Sequence, residues 1–230
     1  MIEIIAFDAD DTLWHNERHS DEAKEKFKQI LTRYHDPEWV EGRLDATELQ
    51  NLKRYGYGIK SFALSMIETA IQLTEGRING NEVQEIITIA WAMLEKPMDV
   101  FDGVRETILM LSEQYKLLLI TKGDLFEQEA KIARSGLGDF FDGIEIVSEK
   151  TPAAYDAIIK RHQVVPRSFV MVGNSLKSDI LPVLEIGSLG IHIPFETTWV
   201  HELVPESELE GKDFIRLTTM AHLPALLASL

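Results

Sequence analysis

The chain has 230 residues, of which 45% are hydrophobic and 27% are charged, and its formal net charge is −15. This composition is typical of a soluble globular protein with room for one domain plus an insertion. The negative charge argues against general nucleic-acid binding, and the absence of cysteine excludes disulfides, thiolate zinc sites and cysteine nucleophiles. No apolar run approaches the roughly 20 residues of a membrane helix, so we expect a cytoplasmic protein with neither a membrane span nor a signal peptide.

The first predicted element is a strand over Ile4–Phe7, an unbroken apolar run that is typical of a parallel strand covered on both faces. Asp8, Asp10 and Asp11 follow it closely. On their own, such carboxylates are as often solvated turn residues or helix caps as functional groups. Their meaning depends on the residues that the fold brings beside them.

A helical insertion is predicted next, because the stretch from 8 to 116 is far longer than a strand-to-strand crossover requires. Asp36-Pro37 is a helix start signal, and apolar residues recur at helical spacing. We therefore predict an all-helical domain over residues 15–98, inserted into a core formed by residues 1–14 and 99–230. The apolar stripes are Ala23, Phe27, Ile30, Leu31 and Tyr34; Phe62, Met66, Ala70 and Leu73; and Val83, Ile86, Ile87, Ala90 and Leu94.

Several aromatic residues accompany this insertion. Trp39, Trp91 and Met66 are predicted to lie in its apolar interior. The segment Tyr55–Gly58 is interpreted as a plain turn between helices, and aromatic rings that face a site are the alternative. Trp14 stands where the core and the insertion meet, so it is the better candidate for lining the entrance to a site.

After the insertion, a helix is expected to start near Val104, and four more apolar runs alternate with helix-length segments. Asp124 with Glu127 resembles a capping box, and Thr151-Pro152 is an N-cap followed by proline. The alternation predicts an α/β fold, a doubly wound parallel sheet of Rossmann type. The acidic stretch 202–210 is expected to be a solvated loop or short helix. The four runs are Leu117–Ile120, Ile144–Val147, Phe169–Val172 and Leu189–Ile193.

Polar residues follow the strands at the points where ligands bind in such sheets, beyond their carboxyl ends. Thr121-Lys122-Gly123 follows the second run, and Lys150 comes shortly after the third. The fourth is followed by Gly173-Asn174-Ser175, with Asp179 further on. Together with the carboxylates after the first strand, these residues predict one site at one edge of the sheet.

This set resembles the four motifs of the haloacid dehalogenase-like hydrolase superfamily. The first motif, DxDxT, is met by Asp8 to Thr12, the second by Thr121 and the third by Lys150. The fourth, usually GDxxxxD, is met by Gly173 to Asp179 with Asn in place of the first Asp. The insertion lies where the family's type-1 helical cap lies. The resemblance therefore implies a Rossmann-like core, a cap domain and phosphatase activity.

The resemblance also implies roles for single residues. Asp8 would be the nucleophile that forms an aspartyl phosphate, and Asp10 the general acid/base. Thr121 and Lys150 would bind the transferring phosphoryl group and balance its charge. The other candidate substrate contacts are Asp11, Gly123 and Lys122, although Lys122 is also interpreted as an ordinary loop residue.

A magnesium ion is implied as cofactor, held by Asp8, the main-chain carbonyl of Asp10 and the fourth motif. Asn174 stands where the family usually has an acid, so we predict weaker magnesium affinity without loss of activity. Asp179 is interpreted either as a direct or water-mediated ligand or as a capping acid at a helix start.

The implied substrate is a small phosphate monoester, of nucleotide or sugar-phosphate type. Nucleic acid and membranes are not expected as partners, and a homodimer is left open. Three alternatives remain: a dehalogenase, against which Asp10 argues because dehalogenases of this family lack it; a phosphomutase; and a binding protein with a degraded site, suggested by Asn174. His192 and His201 are expected to be packed or surface histidines, not metal ligands.

Overall fold

The computed structural model describes residues 1–196, 199 and 202–230 and divides into two compact units. The core unit comprises Met1–Glu17, Met98–Lys122 and Gln128–Leu230. The helical unit comprises Arg18–Pro97 and Gly123–Glu127. The boundaries predicted from the sequence, at 14/15 and 98/99, lie close to these divisions. The grouping of 123–127 with the helical residues was not anticipated.

Four helices build the helical unit, and the residues of the predicted apolar stripes are buried or partly buried in it. Trp39 and Trp91, however, are 58% and 55% exposed, so their predicted burial was wrong, whereas Met66 is fully buried as predicted. The buried stripe of the second helix runs through Val40 and Leu44, and Trp39 lies one position, about 100° around the helix, off that stripe. The helices are α1 (Glu17–Leu31), α2 (Pro37–Tyr55), α3 (Ile59–Leu73) and α4 (Gly80–Glu95).

The turn between α2 and α3 packs against the segment Gly123–Glu127 within the helical unit. The Glu127 carboxylate accepts a hydrogen bond from the Ile59 amide at 2.7 Å, and Lys60 forms an ion pair with Asp124 at 2.8 Å. Gly58 has a φ of +112°, and a Cβ there would lie 2.8 Å from Glu127 Oε2. Glycine is therefore favoured at this turn by its conformation, and a larger residue would displace the Glu127 carboxylate.

The core unit contains a six-stranded parallel sheet of strand order β3-β2-β1-β4-β5-β6. This confirms the predicted doubly wound α/β fold. All five predicted strands are present, and β6 is an additional two-residue strand, too short to produce an apolar run. The strands are β1 (Ile4–Phe7), β2 (Lys116–Lys122), β3 (Gly143–Val147), β4 (Phe169–Gly173), β5 (Leu189–His192) and β6 (Ile215–Arg216).

The central strand β1 supplies both faces of the sheet in strict alternation. Ile5 and Phe7 belong to one apolar cluster, whereas Ile4 and Ala6 belong to another. Successive side chains of a strand point to opposite faces, and helices cover both sides of this sheet, which is why the run has no polar position. Asp8 follows directly at the carboxyl end.

The remaining helices of the chain include one that begins at Val104, as predicted, and one whose N-cap is Thr151. The Thr151 hydroxyl accepts a hydrogen bond from the Ala154 amide at 3.2 Å, which confirms that start signal. Among the described residues, no helix has the length and apolar character needed to cross a membrane. The helices are α5 (Val104–Ser112), α6 (Leu125–Ser135), α7 (Pro152–Arg161), α8 (Leu181–Glu185), α9 (Glu206–Leu209) and α10 (Leu223–Leu227); a π-helical turn, Leu176–Ile180, precedes α8.

Candidate active site

Asp8 lies at the carboxyl end of β1 with its side chain held by two neighbours. The Lys150 ammonium donates to Asp8 Oδ1, and the Thr12 hydroxyl donates to Oδ2 at 3.2 Å. Its backbone amide bonds to the Val172 carbonyl of β4 at 2.9 Å, which fixes the loop to the sheet. The carboxylate is therefore buried but fully engaged by hydrogen-bond donors.

Lys150 connects Asp8 to Asp179, which the sequence places far apart. Lys150 is only 6% exposed, and its ammonium lies 2.7 Å from Asp179 Oδ1. The other Asp179 oxygen accepts from the Ser175 amide at 3.0 Å. A Cβ at Gly173 would lie 2.2 Å from that oxygen, so Asp179 occupies the space that a side chain at 173 would need.

The buried charges shift one another's pKa values in ways that follow from their surroundings. Burial, reinforced by the Asp179 carboxylate, raises the pKa of Asp8 to about 7, although Lys150 opposes this rise. Burial alone would lower the pKa of Lys150, but the Asp179 and Asp8 carboxylates outweigh it and hold that pKa above its usual value. Lys150 is therefore a permanent cation at the site.

Asp10 is held by donors that the sequence did not reveal. Its Oδ1 accepts from the Trp14 indole at 2.7 Å, and its Oδ2 accepts from the Gln128 amide at 2.9 Å and from Lys131 at 3.0 Å. Burial would raise the pKa of Asp10, but Lys131, Gln128 and Trp14 together lower it below its ordinary value. Trp14 is fully buried, so its predicted place at an entrance was wrong: its indole is a donor to Asp10.

The residues Gln128 and Lys131 were missed by the sequence analysis. They lie three positions apart on α6, so they share one face of that helix. In the sequence, these two polar residues share a helix face with the apolar Ile132, and that shared face is the signal that could have indicated a role for them.

Asp11 has a φ of +57°, a conformation that glycine adopts freely and that aspartate tolerates. Its carboxylate accepts from the backbone amides of Asn16 at 2.9 Å and Glu17 at 3.1 Å, and burial raises its pKa to about 7. These bonds hold the loop before α1, and a substrate contact by Asp11 stays a prediction.

The second predicted motif lies at the end of β2. The register pairs Phe7 with Leu119, so Thr121 lies two residues further, level with the loop that carries Asp8. Thr121 is fully buried. The Lys122 ammonium forms an ion pair with Glu202 and lies 2.9 Å from the Ser178 hydroxyl, so it is not an unattached loop side chain. Gly123, with a φ of +151°, begins the segment that groups with the helical unit.

The loop after β5 contributes residues that sequence reasoning misplaced. Glu202, taken as part of a solvated acidic stretch, is almost buried and bonded to Lys122 and to the hydroxyls of Ser175 and Ser178. Further along this stretch, Glu206–Leu209 forms the expected short helix. His192 is packed, as expected, and its Nε2 donates to the Asn174 carbonyl at 2.9 Å; His201 lies outside the described residues.

The donor set at the site fits a hard cation such as Mg²⁺. The Thr12 hydroxyl is 3.2 Å from both Asp8 Oδ2 and Asn174 Oδ1, so a carboxylate oxygen and an amide oxygen approach one point. Such all-oxygen surroundings are those that Mg²⁺ prefers. Among the described residues there is no cluster of three His, Cys, Asp or Glu side chains that could hold a metal ion.

Comparison with known proteins relates this site to a large family. The model of the haloacid dehalogenase-like hydrolase family matches residues 2–187, a range that contains Asp8, Thr121, Lys150 and Asp179. The crystal structure of a haloacid dehalogenase-like family hydrolase from Xanthomonas campestris is 41% identical, has a TM-score of 0.88, and aligns over 99% of this chain and 91% of that one.

Two named relatives are more distant in sequence but align over most of their length. N-acylneuraminate-9-phosphatase of Mus musculus is 27% identical over 242 residues, which cover 100% of this chain and 95% of the relative. Glyceraldehyde 3-phosphate phosphatase of Pyrococcus furiosus is 27% identical over 235 residues, which cover 98% of this chain and 92% of the relative.

Proposed function

This chain belongs to the haloacid dehalogenase-like hydrolase family, in its phosphatase branch, and we propose that it hydrolyses a small phosphate monoester with Mg²⁺ through a phosphorylated Asp8. The observation that carries the proposal is the buried Lys150 ammonium, which bonds to both Asp8 and Asp179. A buried cation beside a carboxylate at the strand ends suits the binding and transfer of a dianionic phosphoryl group.

In the first step, a carboxylate oxygen of Asp8 attacks phosphorus while the bond from phosphorus to the leaving oxygen breaks. Asp10 gives its proton to that leaving oxygen, which departs as the alcohol. In the second step, water attacks phosphorus, Asp10 takes a proton from the water, and the bond between Asp8 and phosphorus breaks. Inorganic phosphate leaves, and both aspartates regain their starting states.

Mg²⁺ would be held by the Asp8 carboxylate, the Asp10 carbonyl and the Asn174 amide oxygen, and it would neutralise part of the charge on Asp8 and on the phosphoryl oxygens. Asp179 is fully buried between Lys150 and the Ser175 amide, whereas the Asp8 side chain keeps 10% of its surface exposed. We therefore assign Asp179 to positioning Lys150. Asn174→Asp should tighten the magnesium dependence, since it adds a negative charge at a ligand position; unchanged half-saturation by Mg²⁺ would contradict this donor set.

The proton cycle requires Asp10 to be protonated when substrate is attacked. Lys131, Gln128 and Trp14 favour its ionised form in the structure. A phosphate ester bound nearby brings negative charge, which offsets Lys131 and raises the pKa of Asp10. The site is thus suited to protonate Asp10 when an anionic substrate arrives.

The names of the relatives provide a starting point for choosing substrates to assay. Their names specify an N-acylneuraminate 9-phosphate and glyceraldehyde 3-phosphate, which are small phosphate monoesters. We propose a substrate of that class, and nucleotides and sugar phosphates complete the set to be assayed.

The test is phosphate release from this panel and from a generic aryl phosphate with Mg²⁺, with and without a chelator. We expect release that requires the metal and that falls by about 10³-fold or more in Asp8→Asn. Equal release by the variant would contradict the nucleophile assignment. Metal-independent halide release from a 2-haloacid would indicate a dehalogenase, and phosphoryl transfer from a sugar bisphosphate would indicate a mutase.

A further inference from the structure

Glu202 lies in a hydrogen-bonded network with the Lys122 ammonium and two serine hydroxyls. Its carboxylate pairs with the Lys122 ammonium and accepts hydrogen bonds from Ser175 Oγ and, at 2.6 Å, from Ser178 Oγ. The side chains of Glu202 and Lys122 are only 11% and 17% exposed. Bulk water therefore contributes little to solvating either charge, and each depends on the other.

The positions of the hydroxyl protons in this network are fixed by the other hydrogen bonds of the two serines. A serine hydroxyl has one proton to donate. Ser175 Oγ accepts from the Ser178 amide at 3.0 Å, and Ser178 Oγ accepts from Lys122 at 2.9 Å. Both hydroxyls therefore direct their single proton to the Glu202 carboxylate.

The two serines lie in the turn that carries the fourth motif. The Ser175 amide donates to Asp179, and Asp179 in turn accepts from Lys150, which donates to Asp8. Asn174 begins the same turn. A shift of Glu202 would therefore move both Asn174, whose amide oxygen would hold Mg²⁺, and Lys150, the cation beside Asp8.

We infer that Glu202 is a positioning residue of the active site: it fixes the turn from Asn174 to Asp179 through Ser175 and Ser178, and it holds Lys122 against that turn. The inference rests on the proposed function for its kinetic consequences but not for the contacts themselves. Burial would raise the pKa of Glu202, yet Lys122 and the serines lower it, so the carboxylate is ionised as this role requires.

The main test compares Glu202→Gln with Glu208→Gln, an exposed glutamate of the same acidic stretch that loses the same charge. Misplacement of the turn should lower kcat by about 10-fold or more in Glu202→Gln and raise the Mg²⁺ concentration for half-activity, while the KM for the ester changes less. Calorimetric titration of Mg²⁺ without substrate should show the same weakening. Unchanged kcat and Mg²⁺ binding relative to Glu208→Gln would overturn the inference.

A double-mutant cycle tests the link to Lys122. In a Lys122→Met background, Glu202→Gln should cost clearly less than in the wild type, because the two residues share one interaction. Purely additive losses would show that Glu202 does not act on Lys122. Ser178→Ala, which removes one donor and keeps both charges, should shift kcat and Mg²⁺ dependence in the same direction by a smaller factor; it provides a second measurement if Glu202→Gln does not fold.

A readout without catalysis separates this inference from the proposed function. Acetic anhydride labelling followed by mass spectrometry should modify Lys122 faster in Glu202→Gln than in the wild type, relative to the exposed Lys26. Absence of turnover by the wild type would sink the phosphatase proposal and leave this result standing. Unchanged labelling of Lys122 would sink the role of Glu202 even in an active phosphatase.

Discussion

Each unit contains a buried lysine that faces two carboxylates, and the two arrangements differ in how completely the charges are paired. In the core unit, Lys150 donates to Asp8 and lies 2.7 Å from Asp179. In the helical unit, Lys24 is 8% exposed and lies 3.0 Å from Asp45 but 3.9 Å from Glu48.

The difference in pairing is clearest at the second carboxylate of each group, which is Asp179 in the core unit and Glu48 in the helical unit. Both Asp179 oxygens have close donors. Glu48 Oε2, in contrast, is buried with no hydrogen-bond partner among the described residues, and burial raises the pKa of Glu48 to about 7. In the core unit, a donor at each oxygen satisfies the buried Asp179 carboxylate and keeps it in place beside Lys150. A scaffold helix pair needs only apolar packing and one good ion pair, so it tolerates an acid that gains a proton.

The largest difference should appear when each lysine is removed. Lys150→Met leaves Asp8 and Asp179 buried without a cation, and we expect a loss of about 3–5 kcal/mol in the free energy of unfolding together with loss of activity. Lys24→Met should cost about 1 kcal/mol, because Asp45 keeps part of its solvation and Glu48 lies 3.9 Å from the ammonium. Urea unfolding checks both variants, and a greater loss for Lys24→Met would reverse the comparison.

Glycine substitutions test how tightly each unit is packed around its acids. In Gly173→Ala, the new methyl group would overlap Asp179, and we expect a loss of about 3 kcal/mol together with a fall in kcat. Gly58→Ala should destabilise less, since its Cβ meets the end of the Glu127 side chain, which can move. Gly56→Ala is the matched control for strain alone, with a φ of +71° and open space around the Cβ. Thermal unfolding should rank them in this order.

Trp14→Phe tests whether Asp10 is tuned by its neighbours. Loss of the indole donor removes a bond that favours the ionised form, so the pKa of Asp10 should rise, and the limb of the kcat profile that reports Asp10 should move to higher pH. We expect kcat at neutral pH to change by about 3- to 10-fold, with little change in KM. Trp91→Phe, at an exposed tryptophan, is the control and should leave the profile unchanged.

The smallest effect is a pH dependence of stability that comes from Glu48. Its folded-state pKa of about 7 lies above the ordinary value of 4.5, so the folded protein binds this proton more tightly than the unfolded chain. Its favourable contribution is complete below pH 4.5 and is lost as pH rises to about 7. Glu48→Gln should remove about 1–2 kcal/mol of this decline in the free energy of unfolding.

The control for that measurement is Glu41→Gln, because Glu41 also lies on α2 and pairs with a lysine of α1 at 2.9 Å, but is half exposed. Its pH dependence should match that of the wild type. An equal change in both variants would show that loss of any acid on α2, and not the burial of Glu48, causes the effect.

The fold was accessible from the sequence where burial forces a simple pattern. β1, β4 and the segment Leu117–Ile120 of β2 contain no charged or hydroxyl side chain because helices cover both faces, so they stand out as runs. β6 escaped because Ile215–Arg216 is too short to form one. Trp39 and Trp91 were misassigned because residue type was given more weight than position relative to the buried stripe.

The candidate site was predictable as far as the strand ends reach. Asp8, Thr121 and Lys150 could be grouped because parallel strands end at one edge of a sheet. The site could not be extended in this way to Gln128, Lys131 and Glu202. These residues reach it from a helix face and a loop through contacts between residues far apart in sequence, which local motif spacing does not predict. Glu202 was also difficult to distinguish from the acidic residues that follow it, which are typical of a solvated segment.

The alternation of β1 constrains how this protein can change in length over evolution. Ile5 and Phe7 enter one apolar cluster, and Ile4 and Ala6 enter the other. Insertion or deletion of one residue within β1 would exchange these faces and shift Asp8 out of register with Lys150. Beyond Trp14, by contrast, the chain carries the whole of residues 18–97 as an insertion. Natural length variation should therefore be concentrated after the nucleophile loop and be absent before it.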